Sequence, residues 1–243
     1  MDRMIYLSMS GAKAMLQRQD VLTNNLANVS TAGFRAELAA FRAVPVLGDG
    51  ASTRVYALES TNGYSDAPGL VESTGRALDV ALNGKAMLAV QSLDGTEAYT
   101  RGGALDLDAE GQLITRSGLP VLGDGGPITI PPKARIDIGA DGTISGTVGS
   151  GRPQVLGKLK LVTPEERLMR GADGLFRGAG GDVAADPTAR LQQGALEGSN
   201  VSAVETMIAM ITAARQFEQQ MKMLQTAEQK EQAATKLLSP NGM

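Results

Sequence analysis

The chain carries a helical apolar period at each end and none in between, and this constrains its fold more than any other feature. From Ile5 to Val29 the pattern is a heptad, with Ile5, Ala12, Gln19 and Leu26 at one seam position and Met15, Leu22 and Val29 at the other. This reads as an amphipathic helix. Near the other end, Ser202 with Glu205 forms a capping-box pattern. Met207, Ile211, Ala214, Phe217, Met221 and Leu224 then step by three or four, the helix reaches about Leu238, and the tail "SPNGM" stops it. Neither helix lies inside a domain that could cover it, and a helix that buries nothing is marginal in water. The partner of each stripe is therefore the other terminus, a neighbouring copy, or both.

Between the helices the character changes twice. Residues 35–75 mix Pro, Gly, Ser and Thr with short apolar pairs and read as an extended linker with one or two short strands. From Arg76 to about Arg190, runs such as "ALDVAL", "AMLAVQ", "RIDIG" and "LGKLKLV" alternate with turn signals. These are Asn83-Gly84, Asp94-Gly95, Glu110-Gly111, Asp124-Gly125 and Asp141-Gly142. The expected fold class is α+β: long terminal helices forming a coiled-coil-like layer, with a central all-β domain inserted between them. The expected segments are 1–34, 35–75, 76–190 and 191–243.

Composition removes most chemistry. There is no histidine, the usual neutral-pH proton carrier and commonest transition-metal ligand, and no cysteine for disulfides, thiolate chemistry or zinc. With 23 basic and 26 acidic residues the net charge is -3, and only 3% of residues are aromatic, so neither a cationic field nor a base-stacking surface favours nucleic acid. The N-terminal stretch, interrupted by Lys13 and Arg18, is not a signal-peptide core, and no apolar run is long enough to span a bilayer.

The remaining candidates have plainer readings. "DLDAEG" at Asp106 to Gly111 resembles the start of a calcium loop, but its twelfth position is Ser117 rather than a bidentate Glu, so a hairpin turn is expected. "LGDGGPITI" and "RGAGGDVAAD" lack the spacing of a dinucleotide or phosphate loop. Glu165-Glu166 reads as a solvated pair, and the eleven methionines as adaptable helix packing rather than a copper site. No catalytic residue, cofactor or metal is implied.

The asparagines of "NNLANVSTAGF" pose a question, because Asn is a poor helix former. Two readings stand. Asn24 and Asn28 share a face while Asn25 points elsewhere, so the amides can bond across helices or to backbone near a helix end. Alternatively Asn28 and the Ser-Thr-Ala-Gly stretch simply end the helix, with Gly33 in a left-handed conformation.

Taken together, "MDRMIYLSMSGA", "LTNNLANVSTAGFRAELAAFRAVPV", "TGRALDVALNGKAMLAVQSLDGTEAYTRGGALDLDAEGQLITRSGLPVLGDGGPITIP" and "LEGSNVSAVETMIAMITAARQFEQQMKMLQ" resemble the flagellar axial (rod and hook) protein family over nearly the whole chain. The start, the "FRAVPV" segment and the modest length are most similar to its proximal-rod members. One departure is "NGKAMLAV", where members carry an aromatic pair after the glycine. The resemblance implies a structural subunit, not an enzyme, exported by the flagellar type III apparatus without a cleaved signal. It implies assembly in the periplasm, with itself and other axial proteins, into the torque-transmitting rod. Asn24, Asn25, Leu26, Ala27, Asn28, Gly33 and Phe34 match the N-terminal motif, and Leu196, Glu197, Gly198, Ser199, Asn200 and Val201 the C-terminal one. On this view the three asparagines bond between adjacent subunits, with both motifs at the subunit interface. The alternatives are a distal-rod member, or a secreted β-domain binding module or hydrolase on a helical stalk.

Overall fold

The computed structural model describes residues 2–45, 55–149 and 151–238, and it divides into two compact units. The tail at 239–243 and the middle of the expected linker, 46–54, lie outside the described residues.

The first unit comprises 1–27, 37–63 and 202–243. Helix α1, Asp2–Ala27, packs along helix α2, Ala203–Leu238. Ser202 caps α2: its Oγ accepts from the Glu205 amide at 3.4 Å, and its carbonyl takes the Thr206 amide at 3.0 Å. Two strands, Glu37–Pro45 and Val55–Tyr64, pair with each other and are longer, at 9 and 10 residues, than the short strands expected in this stretch. Glu37–Pro45 alternates half-buried and exposed residues over most of its length, a period that the Ala, Arg and Pro within it hide in the sequence.

The helix seam explains how the two termini meet. On α2 the inward positions Thr206, Ala213, Gln220 and Ala227 are spaced by seven. Of the α1 positions read as a seam, Ala12 is buried and Ile5, Met15, Gln19, Leu22 and Leu26 are half-buried; Ser8, Ala14 and Asn25, not named in that reading, are buried as well. Gly11 meets the Gln220 side chain, where a Cβ would come within 3.1 Å. Small residues among them, Gly11, Ala12, Ala213 and Ala227, let the two backbones approach closely.

The second unit comprises 28–36 and 64–201. Its main sheet is antiparallel and five-stranded, in the order Leu161–Val162, Met87–Gln91, Glu97–Thr100, Phe176–Arg177 and Met169–Arg170. Strand Met87–Gln91 feeds two clusters by strict alternation. Leu88 and Val90 join the larger one with Leu105, Leu113, Val121 and Ile144; Met87 and Ala89 join Tyr64, Tyr99, Val162 and Phe176. A strand covered on both faces reads as an unbroken apolar run, as "AMLAV" does. A three-stranded sheet, Ala134–Ile138, Thr143–Val148 and Gln154–Lys158, adds Ile138 and Ile144 to the larger cluster.

The hairpin signals hold with one shift. Gly84, Gly95, Gly111 and Gly142 have positive φ at the expected turns, but after Asp124 it is Gly126 that takes it. The calcium-like stretch is a hairpin turn in which the Asp108 carboxylate accepts the Glu110 and Gln112 amides. Residues 191–201, assigned from sequence to the C-terminal segment, belong to this unit. Strand Leu191–Gln193 pairs with Val80–Leu82, and Ala195–Glu197 pairs with Val71–Ser73.

Candidate assembly surfaces

Two sets of residues carry the functional reading: the outward stripes of the helix pair in the first unit, and the motif residues gathered in the second.

Among the described residues, six large apolar side chains of α2 are exposed. Met207 is 50% exposed, Ile208 60% and Ile211 54%, with Val204, Met221 and Met223 also exposed, while Ala214, Phe217 and Leu224 are half-buried flanks. On α1, Tyr6, Met9 and Leu16 are exposed. On α2 the inward positions are thus small or polar, and several apolar side chains remain uncovered. The stripe read from Met207 to Met221 is one position off the seam that α1 occupies.

The N-terminal asparagines have partners within the chain. The Asn25 side-chain amide donates to the Glu37 carbonyl at 2.9 Å and accepts the Glu37 amide at 2.7 Å, as a strand neighbour would. Asn24 donates to the Glu37 carboxylate at 2.8 Å, and Asn28 accepts from the Thr31 hydroxyl at 3.1 Å. After Ala27 the backbone turns, with the Thr31 amide on the Asn28 carbonyl and Phe34 on Thr31. Val29 is half-buried in this turn, beyond the helix end. Gly33 then takes φ +70°, as the helix-ending reading requires, and a Cβ there would lie 2.3 Å from the Arg101 backbone.

The same turn meets the C-terminal motif. The Gly33 amide donates to the Glu197 carbonyl at 2.7 Å. Glu197, 2% exposed, holds the Arg35 guanidinium at 2.9 Å through Oε1, which also accepts the Gly69 amide at 2.9 Å. Its Oε2 pairs with Arg101, whose guanidinium also reaches the carbonyls of Leu82, Gly84 and Ala86. Burial pulls the Arg35 pKa below its ordinary value and Glu197 pulls it back up, so the carboxylate is what makes a buried cation tolerable. Asn200 donates to the carbonyls of Ser65 and Ala67 at 3.1 and 2.8 Å and accepts the Ala36 amide at 2.7 Å. Phe34 is buried under the Arg170 guanidinium, 4.4 Å from its ring centre. Leu196, Ser199 and Val201 are half-buried around them. Residues of both motifs, which the resemblance places at a subunit interface, thus have partners within this chain: Asn24 and Asn25 on Glu37 in the first unit, and Gly33 to Ala36 on Glu197 and Asn200 in the second. Arg35 and Arg101 were not singled out from sequence; a lone Arg after Phe34 and another before Gly102-Gly103 carry no periodic signal.

Among the described residues no group of three or more Asp or Glu is placed to hold a metal ion, and no helix is long and apolar enough to cross a membrane. Glu165 and Glu166 are exposed.

Terminal helices that leave their apolar faces uncovered, flanking a β-unit closed by two signature motifs, define an axial type of subunit. Comparison with known proteins agrees. Residues 5–35 match the family model described as flagella basal body rod protein, 81–146 the flagellar hook protein FlgE/F/G D1 domain, and 192–237 the flagellar basal body rod FlgEFG protein C-terminal. The chain belongs to the flagellar basal-body rod protein family, and within it is FlgF-like. It is 46% identical to the flagellar basal-body rod protein FlgF of Salmonella typhimurium over 250 residues, covering 98% of this chain and 99% of that protein. FlgF of Escherichia coli K12 is 46% identical over 251 residues, with the same coverage. The rod protein FlgG of Buchnera aphidicola from Schizaphis graminum is 32% identical over 261 residues, covering 96% and 98%.

Proposed function

We propose that this chain is a structural subunit of the proximal rod of the flagellar basal body, polymerising through its terminal helices into the shaft that transmits torque. The observation that carries this reading is the outward apolar face of the helix pair, which a lone subunit leaves wet and a neighbour would bury. The neighbours are other copies and other axial proteins. A heterologous contact of this kind repeats as a helical array rather than closing on itself. The work is mechanical: many shared helix contacts bear load, and no residue does chemistry. The motif residues act indirectly in this scheme, fixing how the chain turns out of α1 and into α2, while Met207, Ile211, Met221 and the exposed residues of α1 meet the neighbour. Export by the flagellar type III apparatus without signal cleavage, and placement in the periplasm, complete the proposal.

Replacing Met207 and Ile211 together by Glu tests it. Both are exposed in the single chain, so thermal stability should stay within about 0.5 kcal/mol of the parent. Cells carrying the variant should lack rods and motility. Normal rods from the double variant would mean that this face is not the contact.

A further inference from the structure

The Arg35, Glu197 and Arg101 cluster joins residues that are far apart in the chain. Arg101 and Glu197 are 96 residues apart, and the Asn200 bond to Ala36 spans 164. Both guanidinium groups lie in the interior of the second unit, with side chains 5% and 2% exposed, and share one carboxylate that arrives late in the sequence. Arg101 is held by the carbonyls of Leu82, Gly84 and Ala86, between strands Val80–Leu82 and Met87–Gln91. Until Glu197 is present, closing these elements would bury two cations without their shared carboxylate, with only the exposed Asp66 left near Arg35, a state strongly disfavoured in a low-dielectric interior. The same late segment supplies Leu191–Gln193, the strand partner of the fully buried Val80–Leu82.

We propose that this cluster is a closure lock: the 28–36 and 64–201 unit completes its fold only when the segment 191–200 docks, so a chain emerging N-terminus first stays open until all but about its last fifth is free. Long-range closure of this kind is slow, and here it is also conditional on charge. The device suits a subunit that must remain threadable, and in that respect it rests on the export reading above. The lock itself is a property of the monomer.

The test is amide hydrogen exchange on the full chain with Glu197→Gln, which keeps the side-chain shape and removes the charge. If closure is one event governed by the cluster, protection falls by a common factor, roughly a hundredfold or more, at sites that do not touch residue 197, such as Ala89, Leu113 and Ile144, as well as at Gly69 to Ser73 and Val80 to Ala86. If loss is confined to the latter segments, Glu197 is a local brace and the proposal is wrong. Should Glu197→Gln yield no folded chain, Asn200→Ala is read in the same way, with the same two outcomes. Because exchange is measured on unassembled protein, failure here leaves the rod reading intact, and failure to polymerise leaves the lock intact.

Discussion

Tyr99 is fully buried, its hydroxyl donating to the Glu97 carboxylate at 2.7 Å and accepting the Val183 amide at 2.5 Å. Burial raises its pKa, and the nearby Glu97 adds to the rise. The folded chain therefore keeps this proton to higher pH than the unfolded chain, whose tyrosines titrate near pH ~10. The stabilisation is fully present below that pH and lost as pH rises above it. Tyr99→Phe should cost about 1–2 kcal/mol at pH 8 and flatten the loss of stability that sets in as pH rises above ~10, as urea titrations at each pH would read. If both proteins lose stability in parallel, the phenol is not the titrating group. At this scale sequence reading caught part of the site. Gly33 could be placed in a left-handed turn because the residues before it end a helix. Asn25 could not be matched to Glu37, since nothing local announces a side chain that imitates a strand neighbour. The Arg35 and Arg101 pairing was likewise invisible, because a buried ion pair depends on distant partners rather than on spacing.

On the element scale the two helices were legible in extent and half legible in orientation. On α1 the heptad positions Ile5, Met15 and Leu22 are half-buried and Ala12 is buried, but Ala14, off the heptad, is 2% exposed, so burial follows the apolar period only in part. On α2 the bulkiest apolar residues drew attention to Met207 and Ile211, whereas α1 sits against Thr206, Ala213, Gln220 and Ala227. Hydrophobicity ranks side chains by size, and close helix pairing selects the small ones. Ala213, 1% exposed, is the sharpest check. Ala213→Leu should push the helices apart and lower stability by about 1–3 kcal/mol, measured as a fall in Tm of the isolated chain. An unchanged Tm would show that the seam has room and that the pairing described here is looser than its small residues imply.

Across the whole molecule, the order helix, β-region, helix could be read directly, because the hydrophobic period switches from 3.6 to 2 and back. The closing of the β-unit by residues 28–36 and 191–201 could not, since both stretches look like connectors until their backbone pairing is seen. The helix pair has one further consequence. With small residues turned inward and Met207, Ile208, Ile211, Tyr6 and Met9 turned outward, the free subunit is an amphiphile, one that sorts greasy from wet much as a surfactant does. It should adsorb from dilute solution onto apolar beads, and the Met207→Glu, Ile211→Glu variant should stay in the supernatant; equal adsorption of the two would locate the stickiness elsewhere. A part whose stickiest side is exposed before use has to be delivered to its place of assembly quickly, sparsely, or shielded.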